Sequence, residues 1–290
     1  MTLAADRIFE RAGRAAGGLR LRRDEPVAGV VRLRVSSRLS RLNRMEVAVY
    51  VVGTLLVDTG FAHARAALVP ALAERRLAAI CLTHHHEDHA GAAGLLAAAH
   101  GCPVYLRRAG RCREEGLAAL RPYRHLWWGA PDPYTPVEMP ATITAGVRVL
   151  RAVPIPGHSA THTALLDETS GVVFTGDLFI SGGATAVMSH ENPFESIASL
   201  RRVADLEPSW MLTGHALAVE APSAVLRRKA DAIERAANRI AALGAEGLPV
   251  AEIVRRLFLD GGTRDRMVGA LTGGEFSRAC FVRACLRHGP

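Results

Sequence analysis

Residues 83 to 91 read THHHEDHAG, which places four histidines and two carboxylates at the six consecutive positions 84 to 89. Imidazole nitrogen and carboxylate oxygen are ligands of divalent zinc and of ions like it. The run follows an apolar, strand-like stretch, 77-LAAICLT-83, and leads into an alanine-rich, helix-like one, 90-AGAAGLLAAAHG-101. On an extended strand end His84 and His86 point the same way, and a turn beyond them swings Asp88 and His89 toward a neighbouring point. One loop can therefore feed two metal ions, while His85 and Glu87 fall out of phase and face away.

Two ions need more than four ligands, and three other strand ends offer them. His158 stands in 154-PIPGHSATHT-163, Asp177 in 174-FTGDLF-179 and His215 in 212-LTGHA-216. Each directly follows a glycine, which lets the backbone turn sharply as the side chain presents itself. Three separate strand-glycine-ligand turns are hard to explain without a shared site.

The elements that must hold these turns alternate between β-branched runs and alanine- and leucine-rich ones. Strands are expected at 27–35, 45–52, 54–58, 77–83, 103–106, 147–153, 163–167, 171–175 and 209–214, with 167-DETSG-171 as a hairpin turn and Asp58-Thr59-Gly60 as a turn signal. Helices are expected at 62–76, kinked at Pro70, and at 90–101 and 193–206; residues 4–18 are amphipathic and helix-like. Residues 121–140 are rich in proline and aromatics without a period, so they read as a long surface loop of the kind that lines sites. His125, Trp127, Trp128 and Tyr134 on this loop, and His190 further on, are candidate substrate-binding residues. From Pro222 onward the text is helical, at 222–247, 249–259 and 275–289. The shift near residue 220 divides the chain into a catalytic domain, 1–220, and a helical C-terminal extension, 221–290, winged-helix-like or covering the site. The extension's helices are amphipathic and so are expected to pack back.

Composition excludes some classes. With 49% hydrophobic and 22% charged residues among 290, the chain is globular rather than disordered. Its apolar run 47–57 is well short of the ~20 residues a spanning helix needs, and the N-terminus lacks a signal-peptide pattern. Five cysteines without CxxC spacing point to reduced thiols and a cytoplasmic location. The net charge of +8 is almost all arginine, with Lys229 the sole lysine. The arginines of 20–44 are interleaved with Asp24, Glu25 and apolar residues, which favours a solvated surface over a nucleic-acid footprint.

Taken in order, the motifs resemble the metallo-β-lactamase superfamily over roughly residues 27 to 220. Its HxHxDH is matched by His84, His86, Asp88 and His89, and its downstream His, Asp and His by His158, Asp177 and His215; the upstream Asp58 turn also fits. The resemblance implies an α/β fold, the αβ/βα sandwich with metals at one edge, here carrying a C-terminal helical appendage. It also implies a dinuclear centre: His84, His86 and His158 on one ion, Asp88, His89 and His215 on the other, and Asp177 bridging. Asp88 and Asp177 are then the catalytic carboxylates, and two Zn2+ are the expected cofactors, with Fe or Mn as alternatives. Metal-bound histidines usually give their second nitrogen to a carboxylate or carbonyl, and Asp58 is the candidate for that place. His162, where glyoxalase II-like relatives often carry histidine, is expected just outside the ligands.

Two divalent ions ~3.5 to 4 Å apart share a water and lower its pKa toward ~7, so hydroxide becomes the nucleophile of a hydrolase. Fold alone does not choose the bond that is cut. The helical extension and aromatic loop resemble the glyoxalase II and acyl-thioesterase branch, which implies a small-molecule acyl-CoA or acyl-glutathione thioester, or a related ester, as substrate. Arginines near the entrance would hold its anionic group. An endoribonuclease acting on single-stranded RNA is the alternative: the helix order after residue 231 and the basic charge favour it. The missing β-wing and the lack of aromatic-basic interleaving oppose it. A lactone or β-lactam hydrolase and a catalytically silent metal-binding regulator are further alternatives. No membrane partner is expected, and a homodimer is a workable assembly.

Overall fold

The computed structural model describes residues 3–110, 120–180, 187–258 and 262–289. The chain falls into two compact units, the first formed by 1–154, 161–177 and 209–220 and the second by 155–160, 178–208 and 221–290. A boundary thus lies between Glu220 and Ala221, and two earlier stretches group with the C-terminal helices.

The first unit is built on two sheets. Strands β1 (Arg20–Val27), β2 (Val30–Ser36), β3 (Val47–Val52), β4 (Leu55–Val57), β5 (Ala79–Cys81), β6 (Val104–Leu106) and β7 (Pro136–Glu138) form one, in that order. Strands β8 (Thr142–Ala145), β9 (Arg148–Pro154), β10 (Thr163–Asp167), β11 (Val172–Phe174), β12 (Trp210–Leu212) and β13 (Ala218–Glu220) form the other, again in order. Most neighbours are antiparallel, but β4–β5, β5–β6 and β6–β7 in the first sheet and β11–β12 in the second pair in parallel.

Strand β3 shows why the sequence folds this way. All six of its residues are buried, and alternate side chains point to opposite faces. Val47, Val49 and Val51 join a core with Phe61, Leu68, Leu72 and Leu96, from the segments that follow β4 and β5. Ala48, Tyr50 and Val52 join a second core with Leu150, Leu165 and Phe174 of the other sheet, where the Tyr50 and Phe174 rings lie 5.2 Å apart. A strand covered on both sides loses the polar alternation of an exposed one, and its text is correspondingly a continuous apolar run. The expected turn at 167–171 closes the β10–β11 hairpin, with Asp167 accepting from the Thr169 N–H at 3.1 Å and the Ser170 hydroxyl at 2.7 Å.

Several elements differ from expectation. The arginine-rich stretch contributes an edge strand, β1, held to β2 partly by the Arg32 guanidinium on Asp24. The supposed loop 121–140 contains a helix, Pro122–Trp127, and β7. The short strands β8 and β13 and the helix Gly262–Leu271 are additional.

The second unit contains the helices Pro193–Asp205, Ser223–Ala245, Val250–Phe258, Gly262–Leu271 and Arg278–His288. In the longest, the buried residues Leu226, Ala230, Ile233, Ala237 and Ile240 recur at three- and four-residue steps, one helical stripe. Each fully buried Leu or Ile there contributes ~1.5 to 3 kcal/mol relative to exposure. Arg201 on Pro193–Asp205 reaches Asp231 at 3.0 Å and Glu234 at 2.7 Å on that longest helix. No helix among the described residues is long and apolar enough to cross a membrane.

Cys81, Cys102, Cys280 and Cys285 are free thiols; Cys112 lies outside the described residues. Burial pushes the Cys81 thiol up and the Cys285 thiol up to about 12. Since the thiolate is the reacting species, neither should label with a disulfide reagent at pH 8 until the chain is unfolded. Rapid modification of Cys81 in the native protein, read by peptide mass, would contradict its place in the inter-sheet core.

Candidate metal centre

The parallel pairs bring distant residues to one edge. Because β4 and β5 run together, the turn after β4 and the loop after β5 emerge side by side, and Asp58 N–H donates to the Cys81 carbonyl at 3.0 Å. The turns after β11 and β12 do likewise, and Gly214 N–H donates to the Gly176 carbonyl at 2.8 Å. The two edges are stitched by Thr163 N–H on the Thr83 carbonyl and Ala48 N–H on the Gly214 carbonyl, both at 2.8 Å. The Tyr50 hydroxyl adds a bond to the Thr213 carbonyl at 2.6 Å.

Four predicted ligands converge within this first unit. His89 Nε2 lies 3.1 Å from Asp177 Oδ1 and 3.6 Å from Asp88 Oδ2, and His215 Nε2 lies 3.3 Å from Asp177 Oδ2 and 3.6 Å from Asp88 Oδ2. The other nitrogen of each ring is anchored outward. His89 Nδ1–H donates to Asp58 Oδ2 at 2.9 Å, and His215 Nδ1–H donates to the Glu46 carbonyl at 3.1 Å. Both rings thus turn Nε2 toward the two carboxylates.

The electrostatics agree with a cation site. Burial disfavours the charged form of every group here, yet Asp177 and Asp88 outweigh it and hold the His89 and His215 rings above the usual histidine value, His89 well above. The same rings hold Asp177 well below the usual carboxylate range against its burial. Two carboxylates in a buried cluster call for positive charge, supplied by protons on the rings or by an ion that displaces them. Imidazole and carboxylate at these separations fit a divalent metal of the zinc type. The glycines before the ligands also make room: a Cβ on Gly214 would strike the His89 ring and stand 2.8 Å from Asp177 Oδ1. At Gly176, which has a left-handed φ of 48°, a Cβ would stand 2.5 Å from Thr83 Oγ1.

His84 and His86 stand together, their ring centroids 4.5 Å apart and both side chains buried. Thr83, which sequence reasoning passed over, links His84 to Asp58. Its hydroxyl donates to Asp58 Oδ2 at 2.9 Å, which leaves its oxygen to accept from His84 Nδ1–H at 3.1 Å. Its N–H also donates to Asp58 Oδ1 at 2.7 Å. A single carboxylate therefore orients His89 directly and His84 through a hydroxyl. Asp58 does this from a left-handed backbone, φ 59°, which Asp tolerates better than most residues. An Asp58→Ala protein is expected to lose metal affinity or activity by ~10 to 100-fold, the usual effect of removing such an outer partner. Metal retained after dialysis against a chelator measures it, and unchanged retention would remove Asp58 from this role.

His162 is buried with its ring centroid 4.9 Å from that of His84, and its Nε2 lies 3.1 Å from the Thr175 carbonyl oxygen and 3.3 Å from the Asp177 backbone N. His158 belongs to the second unit, where it is buried beside Glu191. His85 and Glu87, expected to face away from the ligands, lie outside both candidate metal groups and are buried against partners of their own. His85 is buried with Nδ1 2.9 Å from Thr161 Oγ1, and Glu87 is buried in a two-pronged ion pair with Arg124 at 2.5 and 2.7 Å. The chain turns into a short helix, Glu87–Ala90, at that point, so strand alternation stops applying.

The proposed substrate residues scatter. Trp128, one of the residues expected to bind substrate, is a core side chain, buried with its ring 5.2 Å from Phe61. Trp127 and Tyr134 pack partly buried on the same core. His125 is half-buried on the helix Pro122–Trp127, its carbonyl accepting from His63 Nε2–H at 3.0 Å. His190 is exposed in the second unit.

Comparisons with known proteins bear on the same residues. The sequence profile of the metallo-beta-lactamase superfamily matches residues 42–215. The chain is 35% identical over 141 residues to a hydroxyacylglutathione hydrolase of Alkalilimnicola ehrlichii, covering 48% of each. It is 28% identical over 200 residues to the atrochrysone carboxyl ACP thioesterase of Aspergillus fumigatus, covering 66% of this chain and 57% of that one. The chain spans about half the length of the curated relatives it matches. Its fold is similar to the crystal structure of a beta-lactamase domain protein from Burkholderia ambifaria, with a TM-score of 0.66 at 19% identity, covering 91% of this chain and 88% of that one.

Proposed function

That the chain belongs to the metallo-beta-lactamase superfamily is the premise from which we propose its function: a metal-dependent hydrolase acting on an acyl thioester or a related ester. The observation that carries the chemistry is the convergence of His89 Nε2, His215 Nε2 and the Asp88 and Asp177 carboxylates in one buried cluster, both rings anchored from behind. The substrate class is supported by relatives named hydroxyacylglutathione hydrolase and thioesterase.

The centre is read as dinuclear, with His84, His86 and His158 for one ion, Asp88, His89 and His215 for the other and Asp177 shared. The order of the motifs along the chain supports this, and Zn2+ is the first candidate, with Fe or Mn as alternatives. When bound, two such ions lower the pKa of a water toward ~7 and polarise the carbonyl to be cleaved. The chain's own part is to hold ligands and exclude competitors. Asp58 and Thr83 fix two ring tautomers, and His162 stays close behind them on the Thr175 carbonyl. Cys81 offers no rival nucleophile, since its thiol is fully buried between the sheets.

The test measures bound metal by mass spectrometry and turnover of acyl-CoA and acyl-glutathione thioesters, lactones and a single-stranded RNA. About two equivalents of metal with thioester cleavage is the expected result. Cleavage of RNA alone would overturn the substrate class, and absence of any turnover would leave a metal-binding protein without hydrolase activity.

A further inference from the structure

Within the second unit, His158 shares a buried corner with a carboxylate that none of the motifs includes. His158 Nδ1 lies 3.2 Å from Oε2 of Glu191, and both residues are 8% exposed. The second carboxylate oxygen of Glu191 accepts from the Met188 N–H at 2.7 Å. Beside it, Asn192 N–H donates to the Gly157 carbonyl at 2.8 Å, which ties the carboxylate's segment to the turn that carries His158.

The C-terminal segment grips the same loop from its other side. Phe276 N–H donates to the Val187 carbonyl at 2.9 Å, the Ser189 hydroxyl donates to Glu275 Oε1 at 3.1 Å, and Arg287 donates to the Ser189 carbonyl at 2.7 Å. Glu275 is itself buried. A loop of a few residues is thus fastened at both ends, with one buried carboxylate aimed at one imidazole nitrogen.

We infer that Glu191 is a positioning residue for His158: it accepts the Nδ1 proton, so that Nε2 carries the lone pair offered to a metal ion. The grip of Glu275 and Phe276 on residues 187–191 is what holds Glu191 in place. This rests on the reading of His158 as a ligand. An anionic acceptor fixes the ring tautomer and raises its basicity, whereas a glutamine side chain can donate as well as accept and imposes no such choice. Were Glu191 only a brace for its own loop, glutamine would serve, because its carbonyl can still accept from the Met188 N–H.

The experiment compares full-length wild type with Glu191→Gln, Glu191→Asp and His158→Ala/Glu191→Gln proteins, each checked for its metal-free melting temperature. Metal affinity is measured by chelator competition, and the site is reported by the absorption bands of Co2+. Glu191→Gln should hold one of two ions ~10 to 100-fold more weakly, with shifted bands. Glu191→Asp should recover part of that loss, and in the His158→Ala background Glu191→Gln should add nothing. A Glu191→Gln protein that melts like wild type, binds both ions as tightly and gives the same bands would overturn the inference alone. A wild-type protein that binds no metal would overturn the ligand reading with it. Should Glu191→Gln not fold, a folded Glu191→Asp protein with wild-type affinity and bands would overturn it equally.

Discussion

An Asp177→Ala protein should fold, hold little metal and fail to turn over the substrate of the wild type. Asp177 is the acid that both Nε2 atoms face, at 3.1 Å from His89 and 3.3 Å from His215. Its ionised form is favoured well below the usual carboxylate range, burial being outweighed by His215 and His89, so it presents an anion at any working pH. Removing a partner that only orients a ligand costs ~10 to 100-fold, and removing a ligand should cost more than that. Asp177→Asn separates charge from shape: it keeps the size, loses the negative charge, and is expected to resemble alanine rather than wild type. Metal content and kcat/KM are the measurements, and wild-type turnover in either variant would sink the centre as described.

The second large effect concerns stability. Glu87 and Arg124 form a buried pair, and cutting one partner of such a pair leaves an uncompensated charge, at a cost of ~3 to 5 kcal/mol. Arg124→Ala should therefore lower the unfolding free energy by about that amount. Burial already pushes the Glu87 carboxyl up, with Arg124 opposing it. Without the guanidinium the carboxyl rises further, so its ionisation penalises only the folded state. The loss should then be smaller where Glu87 is protonated in both folded proteins, and should grow as the pH rises above the raised value of the wild-type carboxyl. Replacing both residues by leucine should restore much of the loss, because an apolar pair of similar volume is often neutral or better. Denaturant melts at pH 5 and pH 8 decide it. Equal losses at both values would mean that Glu87 is not the residue left unpaired.

How much of this was legible follows from what a linear pattern encodes. Buried strands such as β3 announce themselves because a run covered on both faces is apolar throughout. Candidate ligands placed at strand ends after glycine are legible too, since the turn chemistry and the side chain lie in one short phrase. Strand β1 was hidden because an edge strand solvated on one side can be written mostly in charges, as RLRRDEPV is. Glu87 and Arg124 are 37 positions apart, and no local period joins them. The packing of Trp128 was hidden for a related reason: aromatic residues beside prolines look like a surface loop until a distant Phe61 supplies the wall they pack on. Glu191 carries no motif at all, and only its distance to His158 gives it meaning.

The parallel pairs at the site edge have a kinetic consequence. Asp58, Asp88, Asp177 and His215 come from turns widely spaced along the chain, and they meet only when β4 lies beside β5, β11 beside β12, and the two edges are bonded together. Closing such long loops is the slow part of assembling a topology rich in non-local pairings. Four candidate ligands are neighbours at 84–89, but the set is complete only once those long loops have closed, unlike a zinc finger, where neighbouring ligands and metal fold as one event. Here the polypeptide must reach its native topology first, and the ion arrives as a late ligand, so refolding rates should be indifferent to metal while unfolding is slowed by it.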